Sequence, residues 1–459
     1  MRSSPLTPTQ QRCSQNRRRW THASNALPCT LTWLVLVVTL SCAAQEKPLA
    51  FVGAHVITIS GETIEAGVLV VRGGKIITVG PKATVLPADA VVRDLSGKVL
   101  MPGLVDSHSH VGIAAVGDPA APIQPELRVL DSLDVRDPGL KRAQAGGITT
   151  VNIMHGSGLL CSGQTLYVKL RRADTVDGLL LTNKAGRVAG GLKMANGTNS
   201  RGDPPFPGTR GKSASLVREK FVAAQEYRDK IARAKGDPDK MPPRDLGLDV
   251  LVQVLNGERT VQFHTHRHDD ILTILRLQKE FGFHVVLHHV SDAWKVADQI
   301  AAAKIPCSII LLDSPGGKLE ARDVDWKSAS VLEKAGVVTA FHTDDWVTDS
   351  RLFLRSAAFA LRAGMSRQSA LKGVTLAGAQ VLDLDDRVGS LEPGKDADFI
   401  ILSGDPLSVY THVLETWVEG EKVFDLTDPK DHLWATGGLG AGNPRDLHLC
   451  CFDNVAESR

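Results

Sequence analysis

The chain has 459 residues, 43% of them hydrophobic and 23% charged, an ordinary globular composition long enough for one large core with an appended domain. That excludes a disordered or collagen-like chain. The formal charge of +2 hides an asymmetry: residues 1–45 hold five arginines (Arg2, Arg12, Arg17, Arg18, Arg19) and no acid, so the remainder carries 48 basic against 51 acidic residues and offers no basic face to a nucleic acid.

Arg17-Arg18-Arg19 precede an apolar stretch from Leu31 to Leu40 and then the small residues Ser41-Cys42-Ala43-Ala44. This is the order of a secretory signal, so residues 1–45 are expected to direct export to a periplasmic or extracellular location. The apolar run is well short of the ~20 residues of a stable membrane span. Lipid anchoring at Cys42 is the lesser reading, because Thr39 stands where a lipobox prefers leucine. Seven cysteines at 13, 29, 42, 161, 307, 450 and 451 show no framework spacing; Cys161 and Cys307 read as wall residues of a core.

Residues 46–103 run in short strand-like pieces, FVGAHVIT, AGVLVVRGGKIITVG and AVVRDLSGKVLMPG, broken by glycine pairs and proline, which predicts hairpins. The same texture returns over 384–430 in GSLEPGKDADFIIL and VLETWVEGEKVFD, so the two flanks are expected to build one small β-domain, followed by a tail over 431–459. Between them, over 104–383, apolar runs alternate with amphipathic stretches, the pattern of parallel βα units. VQFHTH precedes DDILTILRLQKEFG, HVVLHH precedes SDAWKVADQIAAA, and VVTAFHTDD precedes RLFLRSAAFALRAG, with Gly282, Gly336 and Gly364 at expected helix C-caps and Ser291 at an expected N-cap. About 280 residues suits an eight-unit barrel with insertions.

Side chains two apart on a strand face one side, so His108 and His110 in LVDSHSHVG point together near the C-terminal end of the first barrel strand, where barrel active sites lie. His264, His289 and Asp344 follow, each ending a later apolar run. Imidazole nitrogens with a carboxylate oxygen suit a borderline divalent cation such as zinc.

MPGLVDSHSHVG, HTHRHDDI, LHHVSDAW, FHTDDWVTDSR and GSLEPGKDADFIILSGDPL together resemble the amidohydrolase superfamily, in particular its imidazolonepropionase-related branch, over Phe51 to Phe424. The resemblance implies a (β/α)8 TIM-type barrel with a small β-sandwich formed from both chain flanks. It further implies one or two divalent cations, Zn2+ first, held by His108, His110, His264, His289 and Asp344. His266 and His288 stand beside two of these ligands, and the choice within each pair stays open. A carboxylated lysine bridging two ions is implied for the binuclear case, with Lys193 in GGLKMANG the candidate and Lys169 the runner-up. The activity implied is hydrolysis of amide-type C–N bonds by metal-activated hydroxide, with Asp344 and His289 catalytic and His266 and Arg267 toward the substrate; Arg322 and Arg351 are further candidates for a substrate carboxylate. A cyclic amide or N-acyl amino acid is the expected substrate class, and a prolidase-like dipeptidase on the same site is the alternative; a non-catalytic metal-binding barrel ranks below both. The glycine- and proline-rich segment 196–240 is a substrate loop or a rim insertion. Nothing in the composition opposes a homo-oligomer.

Overall fold

A computed structural model describes residues 47–113, 117–311, 318–345, 347–438 and 441. The segment expected to be a secretory signal, with Cys42, and the tail cysteines Cys450 and Cys451 lie outside the described residues. Strands follow the expected textures in chain order: β1 (Leu49–Val56), β2 (Ile64–Arg72), β3 (Lys75–Gly80), β4 (Val91–Asp94) and β5 (Val99–Pro102) in the first flank. The central segment carries β6 (Leu104–Ser109), β7 (Ile148–Ile153), β8 (Cys161–Gln164), β9 (Leu166–Lys169), β10 (Leu192–Ala195), β11 (Val261–Thr265), β12 (Val285–His289), β13 (Cys307–Ile309) and β14 (Thr339–Phe341). β15 (Phe399–Leu402), β16 (Val413–Val418) and β17 (Glu421–Asp425) complete the second flank.

The flanks meet as expected: hydrogen bonding joins them into one eight-stranded sheet, β17-β16-β15-β5-β1-β2-β3 with β4 also on β1, and this pairing does not divide into two separate sheets. Its seam is β15 lying antiparallel to β5. The β2–β3 hairpin turns on Gly73 and Gly74 at φ 55° and 74°, the left-handed pair that a tight two-residue turn requires. Phe51, Phe399 and Trp417 fill the small core, with ring centroids 5.0 to 5.4 Å apart.

The central strands form two sheets, β14-β13-β12-β11-β10-β8 and β6-β7-β9. Only Thr165 separates β8 from β9, so residues 161–169 are one run that pairs with β10 on one side and β7 on the other. Eight strand positions therefore follow in series. Two features depart from an all-parallel closed barrel. The run 161–169 is antiparallel to both neighbours, and no ladder joins β14 to β6 among the described residues. That seam is held instead by Asp344 N–H donating to the His108 carbonyl at 2.9 Å and by buried Asp106, which accepts from the Thr343 hydroxyl at 2.6 Å and the Thr343 N–H at 3.1 Å.

Helices follow the late strands as the periodicity predicts: among them α1 (Arg210–Ala234), α2 (His268–Phe281) and α3 (Ala297–Ala302). α1 is the body of the segment 196–240; Val217, Phe221 and Ala224 make its buried stripe. Gly282 ends α2 in the left-handed region as expected. Ser291 is not an N-cap: α3 begins six residues later, and the Ser291 hydroxyl bonds His266 Nδ1 at 2.8 Å.

Lys169, the runner-up for a bridging lysine, is engaged elsewhere. Fully buried at the end of β9, its Nζ lies 2.8 Å from Asp396 and 2.7 Å from Asp398, the two carboxylates of GKDADF, which locks the central strands to the flank sheet. Removing one partner from a buried ion pair strands the other charge, so Lys169→Met is expected to lower unfolding free energy by about 3–5 kcal/mol, read from denaturant midpoints, while leaving the chemistry of the distant site unchanged.

Candidate metal centre

His108 and His110 stand side by side on β6 with ring centroids 5.2 Å apart, as their two-residue spacing requires. Gln262, His264 and His266 take successive inward positions along and just past β11 by the same period. His288 and His289 are adjacent and should face opposite ways, yet both enter the histidine cluster. The reason is local backbone: φ is 69° at His289 and 40° at Val290, so the chain turns left-handed as β12 ends and swings His289 inward. Asp344, at φ 48°, is likewise delivered by a left-handed residue just past β14. Such conformations cost about 1–3 kcal/mol each and persist where the surroundings hold them, commonly at functional sites.

The cluster has two layers. In the deeper one His108 Nδ1 lies 3.1 Å from His288 Nδ1, His288 Nε2 2.6 Å from Gln262 Oε1, and His342 Nδ1 2.7 Å from the Ser308 hydroxyl. In the upper one His110 Nε2 lies 2.8 Å from Asp344 Oδ1, and His264, His266 and His289 pack with centroids 4.3 to 5.2 Å apart. Lys193, wholly buried, places Nζ 3.2 Å from His108 Nε2 and 3.1 Å from the Met154 sulfur. Burial pushes its amine down to about 7, against the pull of Asp344. Burial also drives His108, His264, His288 and His289 well below the ordinary imidazole value, and takes His266 to about 4 and His342 to about 3. The Asp344 carboxylate goes the opposite way from what its own burial favours: His289 and His110 outweigh burial and hold it well below the carboxylate range.

Neutral imidazoles around an ionised carboxylate are the state in which side chains bind a divalent cation. Three observations test the fit. His110 Nδ1 is 2.6 Å from the Met154 carbonyl, which can only accept, and its Nε2 lies 2.8 Å from Asp344 Oδ1, so ring and carboxylate each present one ligand atom to a shared cation. His264 Nδ1, His266 Nε2 and His289 Nε2 are buried with no hydrogen-bond partner among the described residues. The donor atoms of His108, His110 and Asp344, and those of His264, His266 and His289, lie within 4.8 Å of one another in each trio. A divalent cation fits this donor set. Within the two open pairs, His288 has both ring nitrogens engaged while His289 keeps Nε2 uncommitted; His264 and His266 both remain in the cluster.

A cavity of about 580 Å³ opens over the upper layer, lined by His110, His264 and Asp344 and walled by Gly156–Leu159, Asn199, Phe206 and Lys318. Asn199 and Phe206 come from the 196–240 segment, and Asn199 approaches His264 Nε2 at 3.4 Å. Arg267 does not line the cavity; it forms a fork with Asp269 at 2.9 and 2.8 Å where α2 begins. Arg351 is paired with Asp349 in the same way, and Arg322 lies 3.6 Å from Asp323. His266 sits beside His264, its Nδ1 fixed by Ser291. Sequence reasoning missed Gln262 and His342, each two residues before a candidate ligand and so findable by the strand period. It also missed Asn199 and Lys318, which arrive on loops and carry no periodic signal.

Residues 258–424 match the Amidohydrolase family. The solved amidohydrolase of Thermotoga maritima is 33% identical with a TM-score of 0.77, over 82% of this chain and all of that one. Amidohydrolase tasK of Hapsidospora irregularis is 27% identical over 83% of this chain, which spans only 43% of that protein's length. The imidazolonepropionase of Paracoccus denitrificans is 25% identical over 76% of this chain and 92% of its own.

Purified protein is expected to contain a divalent metal by elemental analysis, and the His108→Ala/His110→Ala double variant to contain none. A ligand held at 1,000 times its Kd stabilises by about 4 kcal/mol, so chelation should lower the melting temperature of the parent protein and leave the double variant unmoved.

Proposed function

The chain belongs to the amidohydrolase superfamily and is an enzyme of C–N bond hydrolysis, and from that premise we propose that it cleaves a small amide that carries a carboxylate, an N-acyl amino acid or a cyclic amide. We read the eight strand positions as that superfamily's (β/α)8 barrel, with Zn2+ at the end that bears the histidines. The single observation that carries the reading is the Asp344 carboxylate, ionised against its burial, wedged between His110 and His289 on the floor of the cavity.

His108, His110, His264, His289 and Asp344 would hold the cation, and Lys193, with its amine near neutrality, is the residue placed to bridge a second ion as a carbamate. A divalent cation bound there lowers the pKa of water toward ~7 and polarises a carbonyl. Asp344 takes the proton of the attacking water and returns it to the leaving nitrogen. His266, with Nε2 unpartnered among the described residues, would orient the scissile carbonyl. Lys318 is the one Lys or Arg among the described residues that line the cavity, and it has no carboxylate within 4 Å among the described residues; a substrate carboxylate supplies one. The signal-like leader supports export, and an exported enzyme is poorly placed for cytosolic imidazolonepropionate, which favours other amides.

Asp344→Asn is expected to cut kcat by about 10²–10⁴-fold with the melting temperature of the metal-loaded protein retained; near-normal turnover would remove Asp344 from proton transfer. On a panel of N-acyl amino acids, cyclic amides and dipeptides, Lys318→Ala should raise KM about tenfold, ~1.4 kcal/mol, for carboxylated substrates and leave their methyl esters unchanged. Selective release of two free amino acids from dipeptides would instead assign the prolidase-like activity.

A further inference from the structure

Beneath the cavity floor lies a hydrogen-bonded chain that none of the reacting groups uses. Gln262, wholly buried on β11, presents Oε1 to His288 Nε2 at 2.6 Å and donates from Nε2 to the Tyr167 hydroxyl at 3.0 Å. His288, also wholly buried, places Nδ1 3.1 Å from His108 Nδ1. His108 Nε2, on the far side of that ring, faces Lys193 Nζ at 3.2 Å and Asp344 Oδ1 at 3.3 Å. Neither Gln262, His288 nor Tyr167 lines the cavity.

With the Gln262 amide oriented so that Nε2 donates to Tyr167, the order of donors along this chain follows from one end. An amide oxygen only accepts, so His288 carries its hydrogen on Nε2 and its lone pair on Nδ1. The His108 nitrogen facing that lone pair must then be the N–H. This leaves the His108 lone pair on Nε2, directed at the candidate metal position. Lys193 Nζ, 3.2 Å from that nitrogen, is placed to donate to it when protonated. Turning the amide of Gln262 round would invert every step: its NH₂ would donate to His288 Nε2, His288 would donate from Nδ1, and His108 would be left with a hydrogen on Nε2, unable to ligate. A histidine ligand's tautomer is generally set by the bond its other nitrogen makes, and disturbing that bond weakens metal binding.

We propose that Gln262 is a positioning residue that fixes His108, through His288, as the Nδ1–H tautomer and so keeps Nε2 open for a divalent cation. The proposal rests on the reading of His108 as a metal ligand. Gln262 itself touches neither the metal position nor the cavity.

The test uses full-length protein with Gln262→Glu, whose carboxylate accepts as the amide oxygen does, and Gln262→Met, which fills the space and accepts nothing. Zinc affinity is measured by chelator competition, and ring tautomers by two-bond proton–nitrogen spectra of ¹⁵N-histidine-labelled, metal-free protein, with His108 assigned through His108→Gln. The parent should show His108 as Nδ1–H. Gln262→Glu should keep that signature and zinc affinity within about threefold, and Gln262→Met should lose about 10–100-fold in affinity with a shifted or mixed tautomer. Unchanged affinity and tautomer in Gln262→Met, or a loss in Gln262→Glu as large as in Gln262→Met, would overturn the proposal. Should Gln262→Met fail to fold, the parent spectrum and Gln262→Glu decide it. Absence of zinc binding by the parent would sink the metal reading, whereas His108 protonated on Nε2 in the metal-free parent would sink the relay alone.

Discussion

Everything at the histidine-bearing end of the central strands depends on one constraint: a neutral buried imidazole has one hydrogen to place, and wherever it goes the opposite nitrogen is left as an acceptor. His110 spends its hydrogen on the Met154 carbonyl, and His342 Nδ1 meets the Ser308 hydroxyl. Burial holds His108, His264 and His289 well below the ordinary imidazole value, so their hydrogens are few and their lone pairs many. The Asp344 carboxylate adds to this surplus of acceptors, and its charge reaches the buried amine of Lys193. The site is electron-rich by construction, and the backbone strain at His289, Val290 and Asp344 is what brings the acceptors together.

Much of this was legible in the sequence, and for a single reason. The strand period of two put His108 with His110, and the apolar runs VQFHTH and VVTAFHTDD placed His264 and Asp344 at strand ends. The flanks were readable too, because glycine pairs such as Gly73-Gly74 fix hairpins locally. The choice between His288 and His289 was not legible. Alternation sends one of two neighbours outward, and only a left-handed turn admits both, a property that two non-glycine residues do not advertise. Arg267 illustrates the opposite error: an arginine next to a histidine motif looks like a substrate anchor, but an aspartate two residues on captures it. Ser291 looked like a cap by its place before a helix, while its hydroxyl serves His266 instead.

Topology was legible only in outline. The length of the central segment suits eight strand positions, but only the late runs stand out and none reveals its direction; the run over 161–169 is antiparallel to both neighbours. The joining of the flanks into one sheet is likewise a matter of which edges meet, here β5 with β15, and no local propensity encodes that. What the motif GKDADF did encode became clear only in three dimensions, where Asp396 and Asp398 close on Lys169.

That reversed run has a consequence for how the pocket can change. In a parallel unit the loop that lines the mouth follows its strand and must also launch a helix, so altering it disturbs the outer layer. Here the Gly156–Leu159 wall precedes β8, and the far end of the same run is bolted to the flank sheet through Lys169. The seven residues 154–160 at the mouth are thus suspended between two strands and answer to no helix. Drift, or a deliberate graft, in that short stretch can redraw the shape of the pocket mouth while the histidine floor keeps its register.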